Sequence, residues 1–307
     1  MIRKILKTIG IILLVLIALI ALFLFYLNHR QIISRNYTTD TPTGGDIEAK
    51  YLAMGSHEVS SMTVRRDDSL KKILVFYPAD LTESEQTYPV VVYSNGTGQK
   101  GSQYKNLYRH LASWGFIVLA NDDPESWSGL PSELTLDWIL EEDGTPNSIF
   151  YGRVDYDNIG TYGHSQGGAA VFHTVCDHEH SDLYKTAVAL SPTHEELADA
   201  LGWHFDLSTV KIPVFLLAGT EGEFEIETVI PYEKYNLLYD HLNVPKACAR
   251  RTGAQHGTTV FEGDGYVTAW FMWQLQGDEE AAKVFTGEDP ELLRNPLYQD
   301  QRIDINK

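Results

Sequence analysis

The chain has 307 residues, with 42 acidic against 24 basic side chains and a formal net charge of −18. Such a charge repels nucleic acid and suits a domain facing solvent, favouring neutral or cationic ligands over anions that arrive by diffusion. Cys176 and Cys248 are the only cysteines, too few for a disulfide scaffold, and both stand in apolar contexts that suit buried free thiols.

Residues 1–8 carry Arg3, Lys4 and Lys7, and the run Ile9 to Leu27 that follows has no charge. Roughly twenty apolar residues in a helix cross a bilayer core, so residues 9–27 are predicted to be a transmembrane anchor. The rival is a cleaved signal peptide, but the run is long and ends in "LFLFYLNHR", without the small residues of a cleavage site. Only Arg30 and Arg35 follow it closely, so the positive-inside rule puts the N-terminus in the cytoplasm and the body outside, as a single-pass protein of the cell membrane. Residues 28–55 include "SRNYTTDTPTGGD", polar and rich in Thr, Pro and Gly, and read as a linker. Residues 56–307 are enough for one large α/β domain with a core of its own.

Within that body short apolar runs alternate with helical patterns. "KKILVFYP" and "YPVVVYSNG" read as strands, "YKNLYRHLASWG" as a helix, "FIVLAND" as a strand, and "SELTLDWILEED" as a helix with Ser132 at its N-cap. "NIGTYG" (strand), "GGAAVFHTVCDH" (helix), "KTAVALSP" and "IPVFLLAGT" (strands), "YEKYNLLYDHL" (helix), "KACARRTG" (strand) and "GYVTAWFMWQL" (helix) complete the series. The alternation predicts a mostly parallel central sheet with helices on both faces, whose ligands bind at the carboxyl ends of the strands.

Gly163-His164-Ser165-Gln166-Gly167 is a G-x-S-x-G sequence placed where a predicted strand ends and a predicted helix begins. That context holds a nucleophilic serine in a strained turn, with glycines where side chains would collide and helix-start N–H groups facing a developing oxyanion. A nucleophile on this scaffold is followed along the chain by an acid and then by a histidine. His256 in "GAQHG" lies between the last predicted strand and the C-terminal helix, whereas the other histidines precede the sheet, sit in helices or come before the acid strand. The acid belongs after "PVFLLAGT", where the chain reads Thr220-Glu221-Gly222-Glu223-Phe224-Glu225; Glu223 is the expected partner and Glu221 the alternative. Backbone N–H groups of Thr97, in the glycine-rich "SNGTGQKGS", and of Gln166 are the expected oxyanion donors.

These residues resemble the α/β-hydrolase superfamily, and within it cutinase-like polyester hydrolases and dienelactone-hydrolase-like esterases. The similarity runs from about "LVFYPAD" to "TAWFMWQLQGDEEAAKVF", and its most specific parts are "IFYGRVDYDNIGTYGHSQGG", "IPVFLLAGTEGE" and "GAQHG". The resemblance implies an α/β-hydrolase fold and a Ser165, His256, Glu223 triad, with the oxyanion held at Thr97 and Gln166. Where polyester hydrolases of this kind present an aromatic residue at the first oxyanion position and a tryptophan after the strand that follows the elbow, this chain has Thr97 and Thr193.

The expected function is thus a membrane-anchored serine esterase that cleaves small-acyl carboxylic esters through an acyl-enzyme, with weak action on aromatic polyesters and no cofactor. An acyltransferase on the same fold and an inactive surface binding module are the alternatives. His173, Cys176, Asp177, His178 and His180 crowd "FHTVCDHEHSD", but no closed ligand set is evident there and no metal is expected.

Overall fold

The computed structural model describes residues 14–20, 22 and 30–305. Nine strands form one sheet in the order β1-β2-β4-β3-β5-β6-β7-β8-β9. They are β1 Val59–Arg65, β2 Lys72–Pro78, β3 Tyr88–Ser94, β4 Ile117–Asn121, β5 Val154–His164, β6 Tyr184–Leu190, β7 Val214–Glu221, β8 Lys246–Gln255 and β9 Tyr298–Asp304. β4, β3, β5, β6, β7 and β8 run parallel, whereas β1, β2 and β9 join antiparallel at the two edges. The longer helices are α1 Asp46–Leu52, α2 Lys105–Ser113, α3 Leu130–Asp143, α4 Gln166–Thr174, α5 Glu195–Leu201, α6 Tyr232–His241 and α7 Asp264–Gln276.

The strands are apolar on both sides because both sides are covered. Ile73, Val75, Val90, Val92 and Leu119 pack on one face with Leu136 and Ile139 of α3, Phe172 of α4 and Leu238 of α6. The alternating residues Leu74, Phe76, Val91, Tyr93 and Val118 pack on the other with Tyr108 of α2 and Trp270 of α7. A period of two along each strand produces this division.

Two stretches differ from their sequence reading. Residues 28–55 were expected to be a linker, yet in their described part, 30–55, Ile33, Tyr37, Tyr51 and Leu52 are buried in the second of these cores. Tyr37 donates its hydroxyl to Asp264 Oδ2 at 2.6 Å, and buried Glu48 of α1 accepts from Tyr298 at 2.6 Å and Asn295 at 2.8 Å. The aromatic residues dispersed among the polar ones outweigh the average composition of the segment. Ser132, expected as an N-cap, lies inside α3: the helix starts after Gly129, with φ 73°, and Pro131 fits its first turn, where an N–H would lack a partner anyway. Ser132 Oγ instead shares a 2.6 Å hydrogen bond with Ser94 Oγ under the site described below.

The expected span 9–27 falls mostly outside the described residues. Its described part, residues 14–20 and 22, is helical with exposed side chains, and among the described residues no helix is long and apolar enough to cross a membrane.

Candidate active site

β5 ends at His164, and Ser165 stands alone in the turn before α4, with φ 60° and ψ −119°. A non-glycine residue held there is strained, and the packing around it shows what holds it. A Cβ on Gly163 would come 2.2 Å from the Gly167 carbonyl oxygen, and one on Gly167 would come 2.1 Å from that of Ser94. Glycine is therefore required on both sides, and the turn presses against the end of β3. Ser165 N–H donates to Leu190 O at 2.9 Å, tying the elbow to β6 as well.

Ser165 lines a cavity of about 380 Å³ together with Thr97, His164, Phe224 and His256, walled further by Arg30 and Ile32. Thr97 sits in a loop that Asn95 pins, its side-chain amide donating to Asn121 O at 2.9 Å and Asp123 O at 2.8 Å. Gln166 is the first residue of α4, and its side-chain oxygen accepts from Ser126 N–H at 2.9 Å. The backbone N–H groups of Thr97 and Gln166 have no partner among the described residues, which leaves both able to donate to a ligand.

The acid differs from expectation. It is Glu225, not Glu223 or Glu221, that meets His256: His256 Nδ1 lies 2.6 Å from Glu225 Oε2. Glu225 Oε1 accepts from Ser191 Oγ at 2.7 Å and from Gly219 N–H at 2.6 Å. Burial opposes ionisation of this carboxyl, but the bonds from His256, Ser191 and Gly219 outweigh it and hold the pKa below the usual glutamate value. Glu221 ends β7 in register with Gln255, and Glu223 is exposed beyond the turn at Gly222, where φ is 85°. The chain then winds through a π-helical turn, Phe224–Val229, and this winding carries residue 225 back under the sheet edge. One signal in the sequence pointed there: Glu225 alone among these glutamates has an apolar residue on each side, Phe224 and Ile226.

Sequence reasoning also missed two neighbours of His256. Phe224 is 58% exposed and meets the imidazole edge-on, with ring centroids 4.9 Å apart. An aromatic wall is therefore present, supplied from the acid loop, whereas Thr193 after β6 is buried and donates its N–H to Ser165 O at 3.3 Å. The His164 ring lies against that of His256, tilted by 42° with centroids 4.5 Å apart, and donates from Nε2 to the His256 carbonyl at 2.7 Å. Its pKa is pushed down to about 3, by burial first and then by the neighbouring His256, so the ring is neutral with its proton on Nε2.

The other histidines singled out in the sequence are spread over separate partners. His173 pairs with Asp177, His178 meets the Ser128 carbonyl, and His180 lies between Glu133 and Asp137. Cys176 and Cys248 are both free thiols.

Residues 35–295 match the family described as PETase: PET hydrolase-like. No curated protein matches the chain. The matched span begins inside the segment expected to be a linker and ends after α7, in keeping with the packing of both on one sheet.

Proposed function

The chain belongs to the PET hydrolase-like family, whose membership implies a carboxylic-ester hydrolase, and on that premise we propose that it hydrolyses esters through an acyl-enzyme on Ser165. His256 takes the Ser165 proton as the hydroxyl attacks the ester carbonyl, and later returns it to the departing alcohol. Glu225 fixes the imidazole with its proton on Nδ1 and stabilises the imidazolium that forms. The N–H groups of Thr97 and Gln166 hold the oxyanion, a contribution of about 3 kcal/mol for one such donor in comparable sites. Water then repeats the attack on the acyl-enzyme.

The observation that carries this reading is the buried Glu225 carboxylate, with three hydrogen bonds, one of them from the imidazole that shares a cavity with the strained Ser165. A structural ion pair has no need of a serine held at φ 60° beside it. The cavity of about 380 Å³ has room for an ester carbonyl and a small acyl group beside Ser165. The uncharged run 9–27 anchors the protein in the cell membrane with the body on the extracytoplasmic side, in accord with the exposed apolar side chains of residues 14–20 and 22.

Ser165→Ala tests the assignment. Turnover of p-nitrophenyl acetate is expected to fall by on the order of 10⁴ or more with circular dichroism unchanged. Retained activity in a pure sample of the variant would remove Ser165 from the mechanism.

A further inference from the structure

The residues that wall the catalytic cavity include Arg30 and Ile32, and the uncharged run ends at Leu27. Three residues of fully extended chain reach at most about 11 Å. A headgroup layer is roughly 5–8 Å thick on each side of the hydrocarbon core. If the run spans the bilayer, the cavity rim stands at or just above the headgroups. We propose, resting on the anchored-hydrolase reading above, that the cavity opens onto the bilayer holding the anchor, and that the substrate is an amphiphile of that bilayer. Its long chain stays in the lipid while a small acyl ester projects at headgroup depth.

The connection is held in place. Ile32 N–H donates to Gln103 O at 2.9 Å, the Gln31 side chain donates to Ser102 O at 2.8 Å, and Asn106 donates to Ile33 O at 2.9 Å. These bonds fix residues 31–33 on the body beside the site. Charge points to the same face. Arg35, Lys105 and Arg109 line a cavity of about 490 Å³ shared with Gln31, and neither they nor Arg30 form an ion pair with any other described residue. On a chain of net charge −18 this cationic group stands out beside the residues that join the apolar run to the body. Exposed Phe224 adds an apolar ring at the cavity.

The cavity takes the ester and its small acyl group, and the remaining chain has no need to leave the membrane. Hydrolysis breaks the acyl C–O bond, with water giving its hydroxyl to the small acid, which diffuses away, and its hydrogen to the alcohol, which remains in the lipid.

The test uses the full chain reconstituted in anionic phospholipid vesicles containing hexadecyl acetate, with p-nitrophenyl acetate as the soluble ester. Acetate release from the protein's own vesicles is expected to exceed release from added protein-free vesicles carrying the same ester by at least tenfold. Equal rates would overturn the proposal. Inserting four EAAAK repeats between Asn28 and His29 lifts the body by about 30 Å, and is expected to lower hexadecyl acetate hydrolysis at least tenfold while p-nitrophenyl acetate turnover is unchanged. An unchanged rate on both esters would also overturn it. A wild-type chain with no activity on the soluble ester would instead contradict the hydrolase reading itself.

Discussion

Glu225 and His256 are joined by a 2.6 Å hydrogen bond, and the second oxygen of the same carboxylate is fixed by Ser191 and Gly219. The carboxylate is thus oriented before any substrate arrives, and the imidazole tautomer with it. Glu225→Gln should lower kcat by roughly 10⁴, as loss of the tautomer-fixing acid does in comparable triads. Glu223→Gln and Glu221→Gln change exposed side chains and should keep kcat close to that of the wild type. Steady-state kinetics on p-nitrophenyl acetate separates them, and a large loss in either of the latter would move the acid role.

Phe224 lies edge-on to His256 at the cavity, with more than half its surface exposed. Its contact area is available to a substrate acyl or alcohol group without touching the reacting atoms. Phe224→Ala should raise KM several-fold, about 1 kcal/mol of binding, and change kcat little. A kcat loss with constant KM would show that the ring serves to position His256 instead.

Burial keeps His164 neutral with a pKa of about 3, against an ordinary value of 6.5. Between those values the unfolded chain binds a proton that the folded one refuses, so stability rises with pH across this window. The contribution is full above about pH 6.5 and is lost as pH falls toward 3, the loss reaching roughly 3 kcal/mol at pH 4. His164→Gln should flatten the fall in urea midpoint between pH 6.5 and 4.5. His194, whose pKa burial also lowers, is present in both proteins and cancels from the comparison. Equal steepness in the two proteins would contradict the neutral, buried assignment.

The segment before β1 is part of the core. Ile33, Tyr37, Tyr51 and Leu52 are each at most 3% exposed, and burial of such side chains is worth about 1.5–3 kcal/mol apiece, together comparable with the whole stability of a domain. A chain beginning at Ser56 should be insoluble or melt more than about 15 °C below one beginning at Arg30. Equal melting temperatures would return residues 30–55 to the status of a linker.

The parallel strands and the elbow were legible because each is a local pattern: continuous apolar runs for strands buried on both faces, and glycines flanking Ser165. Edge strands β1 and β9 were not, since "VSSMTVR" and "YQDQRID" are polar sequences that become strands by pairing with β2 and β8. Glu225 was missed for a similar reason. Counting residues from the strand end assumes an ordinary turn, and the π-helical winding after Gly222 changes which glutamate faces inward. The packing of Tyr37 on Asp264 joins residues 227 positions apart, and no local pattern encodes it.

The central claim is that Ser165 is a nucleophile activated by His256. Labelling with a fluorophosphonate and locating the adduct by peptide mass spectrometry tests it most directly, because the reagent bonds only to an activated hydroxyl. The expected result is one adduct per chain, on the peptide containing Ser165, strongly reduced in His256→Ala. An unlabelled Ser165 in folded protein, or an adduct on another serine, would contradict the account.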